Sequence, residues 1–94
     1  MSLIDALERD VMVINKLGLH ARAATQLVLL AAKFDAHITL HQGDQEADAD
    51  SVLGILMLQG SQGKRVTVRC CGPDAEAALD AVCELFAARF NEKE

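Results

Sequence analysis

Tryptophan and tyrosine are absent from the 94 residues, and three phenylalanines are the whole aromatic complement. With a formal net charge of -5 and no basic run, the chain offers neither stacking platforms nor a phosphate-seeking surface, which argues against nucleic acid as a partner. Long apolar runs are missing too. No stretch reaches membrane-spanning length without interruption, and no signal peptide with a basic start is expected. Cysteine is scarce and poorly spaced: Cys70, Cys71 and Cys83 are odd in number and two are adjacent, so they make no disulfide framework. They also lack zinc-ligand spacing, which leaves reduced thiols in a cytoplasmic protein as the expectation. Asp44, Glu46, Asp48 and Asp50 lack the mid-loop glycine and terminal glutamate of a calcium loop and read as a solvated charge run. Gly60-Ser61-Gln62-Gly63-Lys64 lacks the spacing of a nucleotide P-loop. No metal and no cofactor are expected, and a chain of this length makes one domain, 1–94.

What is present centres on Gly18-Leu19-His20-Ala21-Arg22-Ala23-Ala24. An extended segment gives way here to a helical pattern in which Ala24, Leu27, Val28, Ala31 and Phe34 recur on one face. His20 therefore falls at or beside the first turn, where backbone N–H groups lack intrahelical partners and the positive end of the dipole lies. An imidazole in that place is poised to act as a nucleophile, and a phosphoryl group on it would sit in a ready-made anion site. Arg22 adds a permanent cation able to hold phosphate oxygens with paired N–H bonds. The plain alternative is a surface histidine or cap, and a His-x-Arg triplet alone does not exclude it. His37 and His41 alternate with Ile38 and Leu40, which places them with Thr39 on the polar face of a strand.

The remaining elements follow from local pattern. Residues 1–10 admit either a short turn opened by a capping box at Ser2-Leu3-Ile4-Asp5, with Leu3 and Leu7 sharing a side, or a frayed terminus. The second reading makes 1–9 a loosely attached segment. Val11 to Asn15 reads as a strand, the first helix runs to about Lys33, and Ala36 to Gln42 is a second strand. Glu46 to Asp50 is a short acidic edge segment. Ser51 is well suited to cap a short helix over Val52 to Leu58. That helix is too apolar for one core, because Val52, Leu53, Ile55, Leu56, Met57 and Leu58 cannot all face the same way. The surplus predicts an exposed apolar patch of the kind that marks a partner surface. Arg65 to Cys71 alternates Val66, Val68 and Cys70 inward. Gly72-Pro73-Asp74 then opens a last helix with Ala75, Ala78, Leu79, Val82, Leu85, Phe86 and Phe90 on its core stripe and Cys83 at the border.

The segment N-K-L-G-L-H-A-R-A-A resembles the active-site signature of the histidine-containing phosphocarrier (HPr) family of the phosphoenolpyruvate phosphotransferase system. D-S-V-L-G-I-L-M-L, from Asp50 to Leu58, resembles that family's second signature. The G-K-R-V-T-V strand and the last helix fall at the matching places, so the resemblance spans about Arg9 to Phe90. The wording around His20 and the run G-P-D-A-E-A-A-L-D-A-V are most similar to the nitrogen-related (NPr) branch. The resemblance implies an α+β fold, an open-faced sandwich of a four-stranded antiparallel sheet with three helices on one face. It also turns Val11 and Val13 inward, leaving Met12 and Ile14 outward, where the N-terminal segment or a second copy would cover them; a monomer is the main expectation.

The same resemblance implies that His20 accepts a phosphoryl group on Nδ1 from an enzyme I-type donor and passes it to an enzyme IIA-type acceptor. Arg22 and the backbone of Ala21 and Arg22 would stabilise the phosphate. Val52, Leu53 and Leu56 would form the docking patch, and Ser51 matches a serine that some members phosphorylate as a regulatory switch. Asp48 and Asp50 crowd Ser51 with negative charge, which favours the cap over the switch. The chain departs from the family where many members have proline after the arginine; Ala23 stands here, which touches rate rather than role. A carbohydrate-uptake HPr, a regulatory module that is never phosphorylated and an RNA-binding α+β domain are the rivals. Acidic charge and missing aromatics count against the last.

Overall fold

The computed structural model describes residues 6–94. The elements are β1 (Leu7–Met12), α1 (Ala21–Ala31), β2 (His37–Gln42), β3 (Gln45–Asp48), α2 (Val52–Met57), β4 (Arg65–Cys71) and α3 (Ala75–Ala87). One 3-10 turn follows at Arg89–Asn91. The strands form a single sheet in the order β1-β4-β2-β3 with every neighbouring pair antiparallel. This is the expected open-faced α+β sandwich. Helix α3 packs on β1 and β4, and α1 packs between α2 and α3.

Alternation in β2 and β4 decides which face is covered. Ile38, Leu40, Val66, Val68 and Cys70 are buried beneath the helices. His37, Thr39 and His41 sit on the other face as read, with His37 Nε2 2.7 Å from Asp48 Oδ2 and His41 Nε2 2.9 Å from Thr39 Oγ1. Burial pushes the Cys70 thiol up to about 11, with the neighbouring Cys83 and Cys71 adding to the rise. Thiolate is the reactive form. Alkylation of the folded protein at neutral pH is therefore expected to spare Cys70, and peptide mapping that found it modified ahead of Cys71 would contradict its placement in the core.

Strand β1 departs from the expectation. It begins at Leu7 rather than Val11 and ends at Met12 rather than Asn15, so Leu7 to Arg9 belong to the sheet and not to a loose segment. The reason lies in β4, which offers backbone partners from Cys70, opposite Leu7, to Arg65, opposite Met12. Glu8, Arg9 and Asp10 carry no apolar alternation because their side chains find polar partners instead. Arg9 Nη2 reaches Asp80 Oδ1 at 3.2 Å, Thr67 Oγ1 donates to Asp10 Oδ1 at 2.6 Å, and Arg69 Nε lies 3.5 Å from Glu8 Oε2. Such exposed pairs contribute at most about 1 kcal/mol each, so backbone pairing holds this strand. Val13 is fully buried and Val11 packs against the core, while Met12 and Ile14 are exposed, as the inward and outward assignment requires. The capping box at Ser2 to Asp5 lies outside the described residues.

Helix boundaries differ slightly. After α1 the backbone tightens, with Lys33 N–H donating to Leu30 and Phe34 N–H to Ala31, so the regular helix stops at Ala31. Asp74 does not cap α3 with its side chain; its carboxylate accepts the Asp35 N–H at 2.7 Å and ties the α1–β2 connection to the start of α3. The core stripe of α3 includes Phe90 as expected, but the helix ends at Ala87. Phe90 returns to the core through a left-handed turn in which Arg89, Phe90 and Asn91 have φ of 57°, 54° and 64°.

Candidate functional site

Two glycines set the corner from which α1 departs. Gly18 has φ of +69°, in the left-handed region. A Cβ there would collide with the Gly60 carbonyl oxygen, and a Cβ on Gly60 would lie 2.6 Å from Leu19 Cδ1. The loop before α1 thus lies directly on the loop after α2, joined by Leu19 N–H donating to Gly60 O at 2.8 Å and sealed by the buried Leu19. His20 follows as the N-cap of α1, its backbone extended at φ -77° and ψ 179° and its carbonyl accepting from Ala24 N–H at 2.9 Å. The His20 side chain makes no capping hydrogen bond to the helix. The first-turn N–H groups, those of Ala21 and Arg22 among them, are left available to an anion.

The imidazole is three-quarters covered, and its Nε2 is hydrogen-bonded to Glu92 Oε2. Asn15 completes the arrangement: fully buried, it donates from Nδ2 to Gly18 O at 2.8 Å and to Glu92 Oε1 at 3.0 Å. Burial opposes ionisation of Glu92, but the bonds from His20 and Asn15 and the charges of His20 and Arg22 outweigh it and hold the carboxyl below its usual range. Arg22 is exposed on the wall of a cleft of about 670 Å³ that it shares with Lys16, Gln26, Phe90 and Glu92. His20 opens on a smaller hollow beside Leu17, Gln59 and Ser61.

The two depressed carboxyls give a signed pH dependence. Burial also opposes ionisation of Asp48, and bonds from His37 and the Asp50 N–H outweigh it. Both groups have a lower pKa folded than unfolded. Their contribution is therefore complete above the ordinary carboxylate range and is lost as pH falls through the lowered values. The melting temperature is expected to decline from about pH 5 downward, less steeply in Glu92→Gln. A parallel decline in that variant would show that Glu92 carries no such contribution.

Of the three residues expected on the docking patch, only Leu53 is well exposed, at 68%. Val52 and Leu56 are half-buried against the core, whereas Met57, one turn from Leu53, and Leu17 are each 66% exposed. The six-residue helix α2 turns Ile55 inward, so its outermost line is the i, i+4 pair Leu53 and Met57. Ser51 caps it, accepting the Gly54 N–H at 2.9 Å. Asn15 and Glu92 went unmarked in the sequence. Asn15 continues the inward parity of Val11 and Val13, a signal that was available; Glu92 depends on a left-handed turn that no glycine announces.

Residues 7–88 match the family described as the PTS HPr component phosphorylation site. The chain belongs to the HPr family. This HPr-family chain is 58% identical over 86 residues to phosphocarrier protein NPr of Shewanella violacea, covering 92% of the chain and 94% of that protein. It is 43% identical over 88 residues to phosphocarrier protein HPr of Cupriavidus necator, covering 94% and 99%. The crystal structure of HPr-C-His from Thermoanaerobacter tengcongensis superimposes with a TM-score of 0.89 at 35% identity, covering 94% of this chain and 99% of that one. The chain is a phosphocarrier of the HPr/NPr type, and the likeness to NPr favours the nitrogen-related system over sugar uptake.

Proposed function

We propose that His20 is the residue that carries the phosphoryl group, taken from a phosphohistidine of an enzyme I-type donor and yielded to a histidine of an enzyme IIA-type acceptor in the cytoplasm. The observation that carries this reading is a partly exposed imidazole on the N-cap residue of an 11-residue helix, not spent on a capping bond, with Arg22 two residues on. Phosphorylation adds nearly two negative charges at neutral pH. Each favourable interaction with the helix end offsets about 0.3–1 kcal/mol of that, and Arg22 supplies the one full positive charge in the first turn. Modest stabilisation suits a relay, since a group held too firmly cannot be handed on.

Alignment of two histidines from separate proteins requires docking. Leu17, which lines the same hollow as His20, and the exposed Leu53 and Met57 of α2 supply apolar surface for it, with Val52 and Leu56 half-buried in the same helix. The Ser51 hydroxyl is committed to the cap of α2, which supports a structural role for it over a regulatory one. The test is mass spectrometry after incubation with phosphoenolpyruvate and enzyme I from the same organism. One acid-labile phosphate is expected. No phosphate, with enzyme I active on another carrier, would point to a binding module that is never phosphorylated.

A further inference from the structure

Glu92 lies beyond the segment 7–88 that carries the family match, yet it makes the principal side-chain contact of His20. Its placement is built rather than incidental. The segment 88–94 leaves α3 through the left-handed turn and is anchored by the buried Phe90. Gln26 Nε2 donates to Phe90 O at 3.0 Å, Asn91 Nδ2 donates to Gln26 Oε1 at 3.0 Å, and Lys16 N–H donates to Glu94 O. Asn15 binds both the Gly18 carbonyl and the Glu92 carboxylate, so one buried amide fixes the loop that delivers His20 and the group that addresses it.

A carboxylate can only accept. The His20–Glu92 bond therefore places a proton on Nε2 and leaves the ring's lone pair on Nδ1, since the bond made by one imidazole nitrogen sets the state of the other. We infer that Glu92 is a positioning residue for phosphoryl transfer, holding the Nε2 proton of His20 so that Nδ1 is the nucleophile and the phosphorylated ring keeps a counter-charge. This rests on the reading of His20 as the phosphoryl carrier. The step balances without outside reagents. The Nδ1 lone pair forms a bond to the donor's phosphorus, the donor's P–N bond breaks, and its electron pair returns to the donor's ring. The His20 ring retains its Nε2 proton and becomes cationic, facing the Glu92 carboxylate. Onward transfer is the same exchange with His20 as the leaving ring.

The test uses the whole chain with Glu92→Ala and Glu92→Gln, each checked for a native amide spectrum. In ¹⁵N-labelled native protein a downfield proton bonded to His20 Nε2 is expected; it disappears in Glu92→Ala and weakens in Glu92→Gln, whose amide oxygen can still accept. The turnover of acceptance from enzyme I should fall on the order of ten-fold in Glu92→Ala, the scale seen when a group orienting a functional histidine is lost. The fall should be smaller in Glu92→Gln, with KM for enzyme I unchanged in both. Native turnover with an unchanged Nε2 proton would overturn the inference. Faster acceptance would recast Glu92 as a competitor for the phosphate site, and a change confined to KM would make it a docking residue; either result overturns it as well. If native protein takes no phosphate while the Nε2 proton still vanishes in Glu92→Ala, the contact stands, and both the carrier reading and the positioning role fall.

Discussion

Replacing His20 by alanine is expected to abolish phosphoryl acceptance while lowering stability by no more than about 1.5–3 kcal/mol, the range for one hydrogen bond to a charged group. The limited structural cost follows from what the side chain does. It does not cap α1, and it fills no core position. Its removal deletes one hydrogen bond, to a carboxylate that Asn15 still addresses. The functional cost is complete because the other two histidines lie on the open face of the sheet with partners of their own, His37 with Asp48 and His41 with Thr39 and Glu46. Acid-labile phosphate and the urea midpoint together check both halves. Phosphate remaining on the His20→Ala protein would move the carrier role to one of those histidines and overturn the assignment.

Phe90→Ala is expected to cost about 3–5 kcal/mol, the range for removing a buried aromatic side chain. The ring is 1% exposed and meets Phe86 edge to face at 4.9 Å and 63°. More than a cavity is at stake. Three consecutive non-glycine residues hold left-handed backbone, which costs roughly 1–2 kcal/mol per residue, and Phe90 is the one member of that turn buried in the core. Without it the segment that carries Glu92 should detach from His20. A lowered urea midpoint with faster exchange of the Lys16 amide, whose partner is Glu94 O, would show both effects. A lowered midpoint with that amide still protected would separate the core loss from the anchor.

Sequence pattern reached far where a face had to be buried. Ile38 and Leu40, then Val66, Val68 and Cys70, alternate cleanly because both central strands have one wet face and one dry one. Ser51 and the stripe from Ala75 to Phe86 were equally legible, since capping and helical period are local rules. His20 stood out for its place at a helix start. Strand β1 did not, because Glu8, Arg9 and Asp10 trade hydrophobic alternation for cross-strand and helix-facing polar partners. On α2 the apolar surplus was plain, but which residues it comprised was not: a helix of six residues presents Ile55, Leu56 and Met57 to three different surroundings. Glu92 was beyond reach. Its meeting with His20 depends on Arg89, Phe90 and Asn91 all adopting a backbone that local preference disfavours.

The sheet order β1-β4-β2-β3 has a consequence for the growing chain. Its earliest strand can pair only with its latest, so during synthesis β1 waits unpaired while everything between is made. A waiting strand with alternating valines and leucines would invite another copy to pair with it. The Leu7-Glu8-Arg9-Asp10 segment instead places three charges in succession, the kind of gatekeeping that keeps an exposed edge from templating aggregation. The residues that conceal this strand from hydrophobic patterning are thus the ones that keep it soluble until Arg65 to Cys71 emerge to receive it.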